Sequence, residues 1–159
     1  MQHIHRIVIL AGSLVAALLP TVCSAQQPCL QQAWSSYNAK DYAKAIEAAD
    51  ECIDSFAVKA AKEEEVLRSR RVPAPVTGNA TAQEKHDIFA RGVLNDIGAA
   101  YFVKGRSAEF LAKKKPQYKP AAKAAYAKCV TLSYARTWDN QGWFWSTAEA
   151  CQERLDGLQ

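Results

Sequence analysis

NAKDYAKAIEAADECIDSF, residues 38–56, has the pattern of a helix entered through a tight turn. Asp41 stands directly before the first periodic apolar residue, where its carboxylate can accept from the amides of the first turn, so it is the predicted N-cap. Ala45, Ile46, Ala49, Cys52, Ile53 and Phe56 recur at helical spacing and form one buried stripe. Glu47, Asp50, Glu51 and Asp54 fall among them at spacings that put charge toward solvent. The pattern predicts a helix from Tyr42 to about Leu67, and the run Glu63-Glu64-Glu65 with Arg68, Arg70 and Arg71 is expected to form a solvated end. Upstream, Cys29 to Asn38 reads as a shorter helix, with Cys29, Ala33 and Tyr37 on one face and Leu30 and Trp34 beside them. Ala39-Lys40-Asp41 would turn the first helix back on the second.

Further along, helical spacing continues. Residues 72–82, with two prolines and a glycine, are the clearest linker. A third helix is predicted from Thr81 or Ala82, carrying Ile88, Phe89, Val93, Leu94, Ile97, Tyr101 and Phe102. Pro116 and Pro120 interrupt a basic stretch and restart the chain as a fourth helix, Ala121 to Leu132. Ser146-Thr-Ala-Glu149 has the form of a capping box and opens a last helix through Leu155. Sustained alternation and Asn-Gly turns, the usual marks of strands, are missing. The expected class is all-α, about five helices plus a C-terminal capping helix.

The chain has 159 residues, 49% hydrophobic and 23% charged, with a net charge of +4. That argues for a single globular domain and against a disordered or collagen-like chain. Residues 1–25 read as a secretory signal peptide: a positive start with Arg6, an apolar run from Ile7 to Leu19, Pro20, and the small residues Ser24 and Ala25 before the expected cut. The apolar run is shorter than the ~20 residues that span a bilayer, so no transmembrane segment is expected after cleavage. A periplasmic or secreted location follows, and with it an oxidising setting. Residues 26–159 then form the mature domain. Its four cysteines, Cys29, Cys52, Cys129 and Cys151, allow three pairings. Pairing 29 with 52 and 129 with 151 would close two loops of nearly equal span.

Residues 38–56 resemble the turn and second helix of a tetratricopeptide repeat, with Tyr42, Ala45 and Cys52 at the family's packing positions. A second, split copy is carried by Leu94, Ile97, Gly98, Tyr101 and Gly105, and then by Ala122, Tyr126 and Cys129, around an insertion at 106–117 that the family lacks. The resemblance implies antiparallel helical hairpins. It also implies that Cys29 meets Cys52, since the first helix of a repeat starts opposite the end of its second. Cys129 should likewise face Cys151 on the closing helix. Finally, it implies a groove lined by first-helix residues, here Trp34, Asn38, Asn95 and Tyr101, that takes a peptide or protein ligand.

Chemistry for catalysis is thin. His86 is the one histidine of the mature chain, and neither a Gly-x-Ser-x-Gly elbow, a phosphate loop nor a zinc pattern is present. The expectation is a non-enzyme without cofactor or metal. Two features stand out. Trp138, Trp143 and Trp145 fall within eight residues, a density that suits either a terminal hydrophobic cap or a binding surface. Charge is also segregated, with 14 basic and 4 acidic residues across 66–138, densest at Lys104, Arg106, Lys113, Lys114, Lys115, Lys119, Lys123 and Lys128. An exported adaptor that binds protein is the expected function. The competing expectation is a cell-wall or glycan-associated protein using the tryptophans and the basic stretch on an anionic envelope surface. A nucleic-acid partner is not expected outside the cytoplasm. Asn79-Ala80-Thr81 fits the glycosylation sequon.

Overall fold

Ala39-Lys40-Asp41 does close a helical hairpin. Lys40 takes the left-handed conformation (φ 62°), and its N–H donates to the Tyr37 carbonyl while that of Asp41 reaches the Ser36 carbonyl, each at 2.9 Å. This is the double bond pattern that satisfies the last carbonyls of a helix. The Asp41 carboxylate then accepts from the Lys44 N–H at 3.3 Å and caps the next helix. In this computed structural model, residues 27–158 are described; the expected signal peptide lies outside the described residues.

The elements are α1 (Pro28–Asn38), α2 (Tyr42–Ser69), α3 (Ala82–Phe89), α4 (Gly92–Ala112), a 3-10 turn (Pro116–Tyr118), α5 (Lys119–Val130), β1 (Arg136–Trp138), β2 (Phe144–Ser146) and α6 (Thr147–Asp156). The fold is predominantly α, as expected. Both disulfides join the expected partners: Cys29–Cys52 with Cα atoms 5.5 Å apart and Cys129–Cys151 at 6.1 Å. The first fastens the start of α1 to a point inside α2 and holds the hairpin antiparallel. Each closes a loop of just over twenty residues, worth roughly 3 kcal/mol in the loop-entropy account. Among the described residues no helix is long and apolar enough to cross a membrane.

Helix α4 is the spine, packed by α1, α2, α3, α5, α6 and β1. It runs parallel to α1, since Trp34 meets Phe102 and, further on, Tyr37 meets Phe110. Small residues let the neighbours close in: Ala45, Ala49, Ala100, Ala108 and Ala122 are fully buried. A Cβ on Gly98 would lie 2.6 Å from that of Ala135, and one on Gly105 would enter the Tyr126 ring. Tyr126 cannot step aside freely, because its ring is fully buried and its hydroxyl donates to Glu109 at 2.6 Å.

Several expectations are corrected. The third helix is two helices, broken at Ala90 and Arg91; the Asn95 side chain donates to the Ile88 carbonyl at 2.7 Å and so caps the end of α3. Residues Arg106–Ala112 of the expected insertion continue α4, with Ser107 and Ala108 fully buried. Helix α5 starts two residues before Ala121 and ends at Val130. Residues 136–146, where no strand is expected, form a β-hairpin in the register Arg136↔Ser146, Thr137↔Trp145 and Trp138↔Phe144. Its turn is Asn140-Gln141-Gly142, with Gly142 left-handed at φ 101° and the Asp139 carboxylate accepting from the Gln141 N–H at 2.8 Å. Gly78 of the expected linker pairs with Phe144 on the other side of β2. Ser146 caps α6 through the Glu149 N–H at 3.3 Å, as expected.

Replacing Gly105 with alanine should therefore cost about 2 kcal/mol, since overpacking against a fixed ring outweighs the gain in helix propensity. Gly157→Ala, whose Cβ would find nothing nearer than 3.7 Å, should change stability by less than ~0.5 kcal/mol. Urea unfolding of both variants checks the contrast; equal effects would refute the close approach of α4 and α5.

Candidate binding groove

The hairpin is held in place by two buried charges. Arg136 is 5% exposed, and its guanidinium donates five hydrogen bonds of 2.6–3.2 Å to the carbonyls of Pro75, Val76, Ser133 and Ala135. Burial works against its charge and lowers its pKa, with Glu149 and then Glu64 acting in the opposite sense and Arg91 in the same one. Its own backbone N–H donates to Asn95 at 2.9 Å. Glu64, expected in a solvated end, is 4% exposed instead. Its carboxylate accepts from Ser133 N–H (2.9 Å), Ser133 hydroxyl (2.6 Å), Tyr134 N–H (3.0 Å) and Arg68 (3.0 Å). Tyr134 in turn donates to the Val72 carbonyl at 2.6 Å. The stretch 72–78 is thus pinned to the segment before the hairpin.

So placed, β1 faces α1 across a groove floored by α4. Leu30, Trp34 and Asn38, four residues apart on α1, line one wall. Asp96, Ala99 and Phe102 of α4 form the floor. Thr137, Trp138 and Asn140 form the other wall and are shared by two adjoining cavities of about 830 and 280 Å³. Trp143 and Trp145 close the larger cavity beside Asp139. Thr137 Oγ1 is buried there without a hydrogen-bond partner, an arrangement that costs free energy unless a ligand group or water meets it.

The tryptophans differ in their surroundings. Trp138 carries Lys85 Nζ 5.0 Å from its ring centroid and packs against Phe89 and Phe144. Trp145 sits edge-on to Phe102 at 5.0 Å, and Trp34 edge-on to Tyr37 at 5.9 Å. Trp143 is 37% exposed and, among the described residues, is paired with no other ring or cation.

Of the residues expected to bind, the structure gathers Trp34, Asn38, Trp138, Trp143 and Trp145 at one groove. Asn95 lines the smaller cavity, with its amide engaged by Ile88 and Arg136. Tyr101 packs toward α2, where burial, then Asp50 and Asp54, raise the pKa of its phenol. The expected basic patch divides. Lys104 is ion-paired with Asp50, and Arg106 pairs with Glu109 at 2.9 Å and lies over Phe110. Lys113, Lys114, Lys115 and Lys119 remain exposed. His86 is exposed, with Nδ1 3.3 Å from Asp87 despite their adjacency in sequence. Among the described residues no three His, Cys, Asp or Glu side chains converge as metal ligands.

Asp96 was not anticipated. It lies in the groove floor and accepts from the Gln27 N–H at 3.1 Å. Burial pushes its carboxyl up to about 6, the Gln27 bond offsetting only part of that. A lone acidic residue inside the apolar run Val93–Ile97 was the available signal.

The folded state therefore holds the Asp96 proton more tightly than the unfolded chain, whose Asp pKa is ~3.9. Stability associated with Asp96 should be fully present below about pH 4 and lost as pH rises through about 6. Asp96→Asn removes that loss, so its stability relative to the parent should climb between pH 4 and 7 and then level off. Urea unfolding across that range checks this; a constant difference would contradict it. No family model, curated protein or solved structure matches this chain.

Proposed function

We propose that this is an exported, tetratricopeptide-repeat-like binding protein that acts by protein–protein interaction in the bacterial cell envelope. Two disulfides of the expected connectivity support an oxidising compartment. The α1–α2 and α4–α5 hairpins, with α1 and α4 side by side, support the repeat-like reading. The observation that carries the function is the groove itself, where Trp34 and Asn38 of α1 face Trp138, Trp143 and Trp145 of the hairpin. An elongated cleft with aromatic walls and a few polar side chains suits an extended segment of a partner protein.

A glycan ligand is the second reading. It draws on Trp143, whose partly exposed indole stands near the polar side chains of Asn38, Asp139 and Asn140, the combination that stacks on a sugar ring and bonds its hydroxyls. The exposed Lys113, Lys114, Lys115 and Lys119 add attraction to an anionic surface in either case.

A photoreactive residue at Trp143, activated in cells, separates the readings. The expected product is one dominant polypeptide adduct that is lost in a Trp34→Ala background. It should also be absent when the probe sits at Val58, which is 86% exposed on α2. Saccharide fragments on the probe would move the function to glycan binding, and identical products from both positions would refute the groove.

A further inference from the structure

The hydrogen-bond pattern of the hairpin leaves one strand edge open. Asp139 N–H donates to the Trp143 carbonyl at 2.8 Å, and the register pairs Thr137 with Trp145. Residues at alternate positions along an antiparallel ladder bond inward, and those between them point outward. Phe144 confirms the alternation, because both its N–H and its C=O are taken by Gly78 on the far side of β2 (2.9 and 2.7 Å). Strand β2 is thus central and β1 is the edge. The N–H and C=O of Trp138 point away from β2 toward the groove. At Arg136, the preceding outward residue, Asn95 already occupies the N–H.

We infer that the protein partner binds by strand addition: an extended segment of it pairs with the free edge of β1 at Trp138 and runs along the groove between β1 and α1. This rests on the peptide-binding reading above. An exposed strand edge is a template for another extended chain. Charge selects the segment. Asp139 lines the larger cavity and Asp96 the smaller. Among the described lining residues the one cation is Arg136, whose guanidinium is directed to backbone carbonyls, and Lys85 is held over the Trp138 ring. The segment is therefore extended, apolar at alternate positions to fill the space beside Trp34 and Trp143, and carries lysine or arginine.

The test uses a displayed library of random linear heptapeptides, selected on the full mature chain. The best binder is resynthesised with a single N-methyl group at each position in turn. Strand addition predicts enrichment in lysine or arginine. It also predicts a tenfold or greater loss of affinity for N-methylation at alternate positions only, and slowed hydrogen exchange at the Trp138 amide in the complex. Binders that tolerate N-methylation everywhere, or that leave Trp138 exchange unchanged, would overturn strand addition while keeping the groove as a peptide site. Absence of any binder would overturn both. A Trp138 amide already protected without peptide, in a chain that sediments as a dimer, would assign the edge to a second copy and overturn the proposal.

Discussion

A guanidinium with almost no access to water must be met by acceptors, and the way Arg136 meets them sets the position of the hairpin that walls the groove. Its four carbonyl partners come from two places far apart in sequence, Pro75 and Val76 on one side and Ser133 and Ala135 on the other. Satisfying one side chain therefore joins the segment after α2 to the segment before β1. Glu64 repeats the device from α2, binding the backbone of Ser133 and Tyr134. Breaking either leaves a buried charge or several unpaired amides and carbonyls, each costing on the order of 1–3 kcal/mol. The hairpin has only three residues per strand, too few to persist alone in water. These polar contacts, with packing on α4, make it a wall.

The helical part obeys a different constraint. Alanines and glycines bring α2, α4 and α5 close, so few large side chains are needed between them, and Tyr126 and Leu94 fill what space remains. The larger rings are displaced to the periphery. One group lies at the α1–α2 turn, where Tyr42 stacks on Phe110 at 4.8 Å; the other lies around the hairpin. That displacement leaves aromatic surface at the groove, and the disulfides brace the helices on either side of it.

How much of this was legible in the chain depends on the range of the interaction concerned. Asp41 and Ser146 announce their helices because a cap is a contact across three residues. The cysteine pairing followed from the order of helices in a repeat. The hairpin was missed because three-residue strands establish no alternation, although Asp139-Asn140-Gln141-Gly142 holds a turn-forming carboxylate and a glycine for the left-handed position. Glu64 looked like one of three solvated acids, and nothing in the sequence around Arg136 sets it apart. Each is buried by partners about 60 to 70 residues away, which no local pattern encodes. Asn95, placed among the expected groove residues by the repeat resemblance, does line the smaller cavity, but its amide is spent on the break between α3 and α4 and on Arg136. The groove was half legible: its α1 wall was read from Trp34 and Asn38, whereas Asp96, Phe102 and the open edge of β1 emerged only with the tertiary arrangement.

The groove exists because Arg136, together with packing on α4, fixes its β wall. Site-resolved hydrogen exchange of Arg136→Lys measures this directly, since lysine keeps the charge but loses the planar fork. Amides of residues 137–145 should exchange at least tenfold faster, while those of α2 and α4 keep their protection. Unchanged exchange in the hairpin, or loss of protection spread evenly through the helices, would contradict it.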